Sequence, residues 1–276
     1  LPSVWASASS IIAWSCTASR STEIARAPRV TGRALFRISG LILLFLFCAP
    51  VHVVNRTLFG RSPWPQWFLA AAAWICGARV RLVGQPIGRH SLIIANHTSW
   101  LDIVILAGAT NCAFVSKDQL GHGLLHWLAD QNGTVYVKRS HVKGAKDQAI
   151  ALADALQSEK PVTVFPEATT GPGTHLLPFR SSLLEAANYA AKDVQIRPIA
   201  VDYGAAAAEI GWWDEPGKSN VLRILGRRGP LPVTLHLLDP LDRSGDRKRL
   251  AHEAREAIAR VLGFKSDAHS PIDPGE

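Results

Sequence analysis

Between Arg37 and Arg79 the only charged side chains are Arg56 and Arg61, and that scarcity limits the folds open to the chain more than any other feature. It leaves two apolar stretches, residues 38–55 and 62–78, each close to the roughly 17 residues that form the shortest bilayer-spanning run. Neither shows the polar face of a helix on a soluble surface. Pro50 is expected to kink the first, and Pro63 and Pro65 crowd the start of the second. Arg26, Arg29, Arg33 and Arg37 precede the pair, and Arg79, Arg81 and Arg89 follow it. Two membrane geometries fit. One is a spanning hairpin with Arg56 and Arg61 outside and both flanks on the cytosolic face. The other is two helices lying in one leaflet, arginines reaching to anionic headgroups and Trp64, Trp67 and Trp74 in the interfacial zone. A pair of ordinary core helices is the plainer alternative.

Beyond this region, short apolar runs alternate with segments of helical periodicity. Strands are expected at 91–95, 112–116, 134–137, 161–165, 194–201 and 232–238, and helices at 100–109, 144–156, 181–191 and 246–262. Ile150, Ala153 and Leu156 are expected to face inward on one helix, and Leu250, Ala254, Ile258 and Val261 on the last, which Gly263 ends. The alternation implies an α/β fold, a sheet flanked by helices. The chain divides into an extension at 1–34 rich in Ser, Ala, Thr and Arg and expected to be disordered, a membrane-docking helical hairpin at 35–80, an α/β domain at 81–263 and a disordered tail at 264–276.

Asn-His-Thr-Ser-Trp-Leu-Asp at 96–102 sets His97 on the turn between the strand at 91–95 and the following helix, with Asp102 five residues on. Such turns expose side chains at the rim of an α/β sheet, where ligands sit. A neutral imidazole can take a proton from a hydroxyl while a carboxylate holds its other N–H and stabilises the imidazolium. A structural reading stands beside this one: Ser99 caps the helix and Asp102 closes a capping-box-like turn. Both can hold at once. No G-x-S-x-G elbow is present, which argues against a serine hydrolase; the nearness of Ser99 to His97 leaves a nucleophile open as the lesser alternative, since a Ser usually needs a separately positioned base.

Three further segments follow in order: Gly-Thr-Val-Tyr-Val-Lys-Arg at 133–139, Val-Phe-Pro-Glu-Ala-Thr-Thr at 164–170 and Ile-Arg-Pro-Ile-Ala at 196–200. With the N-H-x-x-x-x-D block, they resemble the four motifs of the glycerolipid acyltransferases, typified by the bacterial lysophosphatidate (1-acylglycerol-3-phosphate) enzymes. The resemblance runs from about residue 36 to 245 by motif spacing. It implies a glycerolipid-acyltransferase-like sheet behind a hairpin that docks on the membrane. It also implies transfer of a fatty acyl group from a thioester to a lysophospholipid hydroxyl, making phosphatidate from lysophosphatidate, with His97 as base and Asp102 orienting it. Asn96, Lys117, Arg139, Glu167, Thr169, Thr170 and Arg180 are the expected substrate-binding residues. The third block departs from the family twice, with Ala168 in place of Gly and Thr170 in place of Arg. A hydroxyl cannot replace a planar, bidentate phosphate partner, so another lysolipid, such as lyso-ornithine lipid, is the alternative acceptor; Lys117 and Arg139 are placed to compensate. A non-catalytic lipid carrier is the rival of another class.

The formal net charge of +8 draws the chain to anions. Anionic phospholipids fit better than nucleic acid, because two uncharged apolar stretches lie beside the basic residues, and the basic residues of the helix at 246–262 have no aromatic stacking platform among them. Expected partners are therefore membrane phospholipids, the lysolipid acceptor and acyl carrier protein, at the cytoplasmic face of the cell membrane. No tightly bound cofactor is expected; acyl-CoA or acyl carrier protein serves as cosubstrate. His122 and His126 have ligand spacing without a third ligand, and Cys16, Cys48, Cys76 and Cys112 form no metal motif, so no metal is expected. Trp212-Trp213 has no evident place.

Overall fold

Thr31 accepts the Ala34 N–H through its hydroxyl and starts α1 (Gly32–Phe59), which Gly60 closes in a left-handed conformation. The computed structural model describes residues 30–117, 123–137, 144–157, 160–243 and 245–264. The helix begins inside the extension expected to be disordered, whose residues 1–29 lie outside the described residues. It continues past Pro50 to Phe59 and is long and apolar enough to cross a membrane, by length and composition. Leu43, Leu46, Phe47, Leu58 and Phe59 are all exposed on it. In α2 (Trp64–Ile75), Pro63 and Pro65 occupy the cap and first turn, where a missing N–H breaks no bond. The two helices meet edge to face through Phe45 on Phe68 and Phe47 on Trp64.

Strand β1 (Ala78–Gly84) follows directly, so the boundary expected at 80–81 falls inside a strand, and hairpin and sheet are continuous. Next come β2 (Ser91–Ala95), α3 (Leu101–Thr110), β3 (Ala113–Lys117), α4 (Leu124–Gln131), β4 (Val135–Val137), α5 (Gly144–Ala155) and β5 (Val162–Val164). A 3₁₀ turn at Ser181–Glu185 leads into α6 (Ala186–Tyr189), followed by β6 (Gln195–Asp202), α7 (Ala207–Ile210), α8 (Gly217–Gly226), β7 (Leu231–Leu237) and α9 (Arg247–Leu262). The sheet order is β1-β7-β6-β2-β5-β3-β4. From β6 to β4 all neighbours are parallel; β7 runs antiparallel to β6 and parallel to β1.

Every residue of β2 is buried because helices cover both faces of the sheet. Ile93 and Ala95 join a core that includes Leu101 and Ile105 of α3, whereas Leu92 and Ile94 join one that includes Leu152 of α5 and Ala254 of α9. Gly108 lets α3 seat on α2: a Cβ there would lie 2.6 Å from the Ala70 backbone nitrogen.

Three expectations need correction. The helix expected at 181–191 is a 3₁₀ turn and a single α turn, and the tighter winding aligns Leu184 with Ala187, both buried. On α5 the inward residues are Ala149, Leu152 and Ala153, followed by Leu156, with Ile150 37% exposed. On α9, Val261 is exposed while Ala251 and Ala259 are buried. In both helices the apolar stripe is rotated onto small alanines, which permit close approach to the sheet.

Candidate active site

Strands β5, β2 and β6 lie side by side, parallel, and end at one rim. Each delivers a polar residue there: Glu167 beyond β5, His97 beyond β2, Asp202 and Tyr203 at the end of β6. Asn96 first ties two of the strands together. Its amide donates to the Val201 carbonyl (3.1 Å) and accepts from the Val201 N–H (2.8 Å). Expected to touch substrate, Asn96 lines the cavity beside His97, with both ends of its amide engaged by the backbone of the neighbouring strand.

Asp102 is fully buried. Its Oδ2 accepts from His97 Nδ1 (2.9 Å), Thr98 N–H (2.6 Å) and Ser99 N–H (2.8 Å), and its Oδ1 accepts the Tyr203 hydroxyl (2.6 Å). Ser99 Oγ accepts the Leu101 N–H at 3.1 Å. The capping box and the imidazole–carboxylate pair are therefore the same structure. Because an ionised carboxylate only accepts, Nδ1 carries the hydrogen and the Nε2 lone pair is left for another partner. Ser99 is fully buried and engaged in the cap, which leaves it no part as an exposed nucleophile.

The imidazole of His97 stacks on Phe165 at 4.0 Å between ring centroids and an interplanar angle of 13°, and Phe165 stacks in turn on Phe114. A cavity of about 270 Å³ adjoins it, lined among others by His97, Glu167, Leu176, Asp202, Tyr203 and Phe264. Phe264 stands inside the tail expected to be disordered; 265–276 lie outside the described residues. Tyr203 and Phe165 went unassigned in the sequence. The signal for Tyr203 was its place just past the fourth motif, at the end of a strand bordering that of His97.

Glu167 is buried, with Oε1 on the His97 N–H (2.7 Å) and Oε2 on the Leu177 N–H (2.9 Å). Both oxygens fasten backbone, so its expected contact with acceptor hydroxyls gives way to a positioning role. It holds the turn carrying His97 against the loop that returns through Gly171, whose N–H donates to the His97 carbonyl at 2.8 Å. Burial pushes the Glu167 carboxyl up to about 7, against the pull of its two N–H donors. An acid with a raised folded pKa binds more protons folded than unfolded between the two values, so stability falls as pH rises from the ordinary 4.5 to about 7. The change spans on the order of 3 kcal/mol. Urea unfolding from pH 4 to 8 will show this slope in the wild type and its loss in Glu167→Gln.

Ala168, where the family pattern has Gly, sits in the left-handed region with φ 58°. An L side chain there costs about 1–2 kcal/mol, partly offset by glycine's greater unfolded freedom. Ala168→Gly is expected to raise stability by up to about 1 kcal/mol, read as a higher urea midpoint.

The other expected binding residues are not gathered here. Thr169 is exposed, Thr170 half-exposed and Arg180 exposed, and none lines the cavity. The Arg180 N–H donates to the Pro166 carbonyl. Lys117 ends β3, two strands from β2 on the same rim, and Arg139 lies outside the described residues, as does His122. His126 faces Asp130 at 3.6 Å and stacks on Tyr136. Trp212 finds its place by donating its backbone N–H to the Thr98 carbonyl, beside the His97 turn.

An imidazole aligned by a buried carboxylate, at a cavity on the rim of parallel strands, equips an α/β enzyme for proton transfer to or from a bound hydroxyl. The chain belongs to the acyltransferase family, whose model, described as Acyltransferase, matches residues 50–202. It is 31% identical over 264 residues to the lyso-ornithine lipid O-acyltransferase of Rhodobacter capsulatus, covering 87% of this chain and 95% of that one. It is 32% identical over 244 residues to the Pseudomonas aeruginosa enzyme of the same name, covering 82% and 91%. The crystal structure of the 1-acyl-sn-glycerophosphate acyltransferase PlsC from Thermotoga maritima aligns with a TM-score of 0.57 over 84% of this chain and 96% of that one, at 22% identity, a likeness of fold. The protein is an O-acyltransferase.

Proposed function

We propose that this enzyme transfers a fatty acyl group from a coenzyme A or acyl carrier protein thioester to the free hydroxyl of a lysolipid, with lyso-ornithine lipid preferred over lysophosphatidate. The observation that carries the preference is the cavity beside His97, whose described lining contains neither Lys nor Arg. A phosphate monoester would find no Lys or Arg among those described lining residues, and its desolvation there is costly. Thr170, in place of the family's Arg, removes one more phosphate partner, and the two relatives that align over 87% and 82% of the chain carry the lyso-ornithine name.

In this reading His97 Nε2 takes the hydroxyl proton as the oxygen attacks the thioester carbonyl. The new C–O bond forms, the C–S bond breaks, and the departing thiolate takes the proton back from the imidazolium. Asp102 stabilises that imidazolium and prevents the ring from turning. No acyl-enzyme is required, so both substrates are bound together. A cavity of about 270 Å³ lies below the roughly 300 Å³ at which small-molecule pockets begin. It receives the headgroup, and the acyl chains extend to the apolar surface.

That surface is α1, about 42 Å long. Arg33 and Arg37 donate to the last carbonyls of α8, at Gly226 and at Ile224 and Leu225. Toward the other end, Arg56 Nη1 lies 2.6 Å and His52 Nε2 2.9 Å from Gln131 Oε1 of α4. A helix fastened at both ends along its domain rests in one leaflet, on the cytoplasmic face where acyl thioesters are held, rather than crossing the bilayer.

The test is a panel of lysolipids offered with each donor to purified protein, the products identified by mass spectrometry. A kcat/KM for lyso-ornithine lipid about tenfold or more above that for lysophosphatidate is expected. The reverse preference overturns the acceptor assignment, and absence of transfer to every lysolipid overturns the activity.

A further inference from the structure

We propose that Asp202 forms an ammonium subsite for the acceptor headgroup, an inference that rests on the lyso-ornithine reading and deepens it. The described lining of the cavity holds two carboxylates, and they differ in what they leave free. Glu167 is 4% exposed with each oxygen on a backbone N–H. The Asp202 side chain is 33% exposed. Its Oδ1 accepts the Gly204 N–H at 2.7 Å, and its Oδ2 stands 3.5 Å from His236 Nε2, a distance that orients the group without saturating it. The Gly204 amide fixes the carboxylate in place, and open space surrounds the position of a Cβ on that glycine. An oriented carboxylate with unfilled lone pairs, in a cavity whose described lining has no Lys or Arg, matches a compact cation with three N–H donors. A primary ammonium, such as the one that ends an ornithine side chain, is that cation; a phosphate would meet like charge.

The chain itself links headgroup to chemistry. Asp202 is the last residue of β6 and the next residue, Tyr203, donates its hydroxyl to Asp102. An acceptor seated on Asp202 is therefore registered against the element that supports the catalytic pair, one strand away from His97.

The experiment compares two acceptors that differ only at the headgroup amine: lyso-ornithine lipid and the same lipid with its side-chain amine acetylated, which loses the charge and gains an acetyl group, so that the Asp202→Asn arm separates charge from bulk. Wild-type enzyme is expected to favour the free amine by about tenfold or more in kcat/KM, the size of a lost charged hydrogen bond. In Asp202→Asn that ratio is expected to collapse toward one. A wild-type enzyme that treats the two acceptors alike overturns the subsite while leaving the acceptor reading standing, and needs no variant to show it. Discrimination retained in Asp202→Asn overturns the subsite too. Transfer to lysophosphatidate with neither ornithine lipid acylated overturns the reading and the subsite together.

Discussion

His97→Ala is expected to lower kcat by about 10²- to 10⁴-fold, the range for removal of a positioned general base. The fold should survive the change, because what His97 gives the turn is main chain: its N–H reaches Glu167 and its carbonyl receives the Gly171 N–H. The ring itself contributes a stack on Phe165 and the bond to Asp102, and its loss leaves Asp102 with its two backbone donors and Tyr203. Purified variant should therefore unfold cooperatively and still be recovered with lipid vesicles, since α1 and α2 are untouched. Turnover within about tenfold of wild type would remove His97 from the chemistry.

Asp102→Asn is expected to lower kcat by a comparable factor for a different reason. The substituted amide can keep its oxygen toward Thr98, Ser99 and His97 and turn its NH₂ toward the Tyr203 hydroxyl, which then accepts. Geometry is thus largely conserved, but a neutral group no longer stabilises the imidazolium formed as the hydroxyl proton is taken. Exchanging charged for neutral acceptors on two buried N–H groups also costs about 1–3 kcal/mol of stability. Asp102→Ala would be worse for the fold, leaving those N–H groups without an acceptor, and so separates structural loss from chemical loss. Measured together, Asn should show the smaller shift in urea midpoint with a large fall in kcat, and Ala a larger shift in midpoint with a fall in kcat at least as large. A neutral Asn variant with full turnover would reduce Asp102 to a helix cap.

How much of this was legible in the sequence depends on the range of the interaction. The strand at 91–95, the turn carrying His97 and the partnership with Asp102 lie within a dozen residues, and local pattern and helix-capping chemistry specify them. Tyr203 is 101 residues from Asp102; only the order β6-β2-β5 brings it there. Asn96 and Glu167 were legible as polar residues at the rim but not as to what they face. Each is spent on backbone amides or carbonyls that arrive from distant segments, Asn96 at Val201 and Glu167 at His97. The α/β alternation foretold a sheet. That β7 runs against β6 and carries β1 at the edge did not follow, because a strand's direction in its sheet depends on connections whose path the periodicity does not record. Ile150 and Val261 were misplaced because large apolar residues were weighed above the alanines beside them.

The central claim is that one histidine, aligned by a buried carboxylate, passes a hydroxyl proton while acyl donor and acceptor are bound together. Initial rates with both substrates varied test it most directly. The account predicts double-reciprocal lines that converge, as a ternary complex requires. Parallel lines, the signature of an acyl group parked on the enzyme before the acceptor arrives, would contradict it.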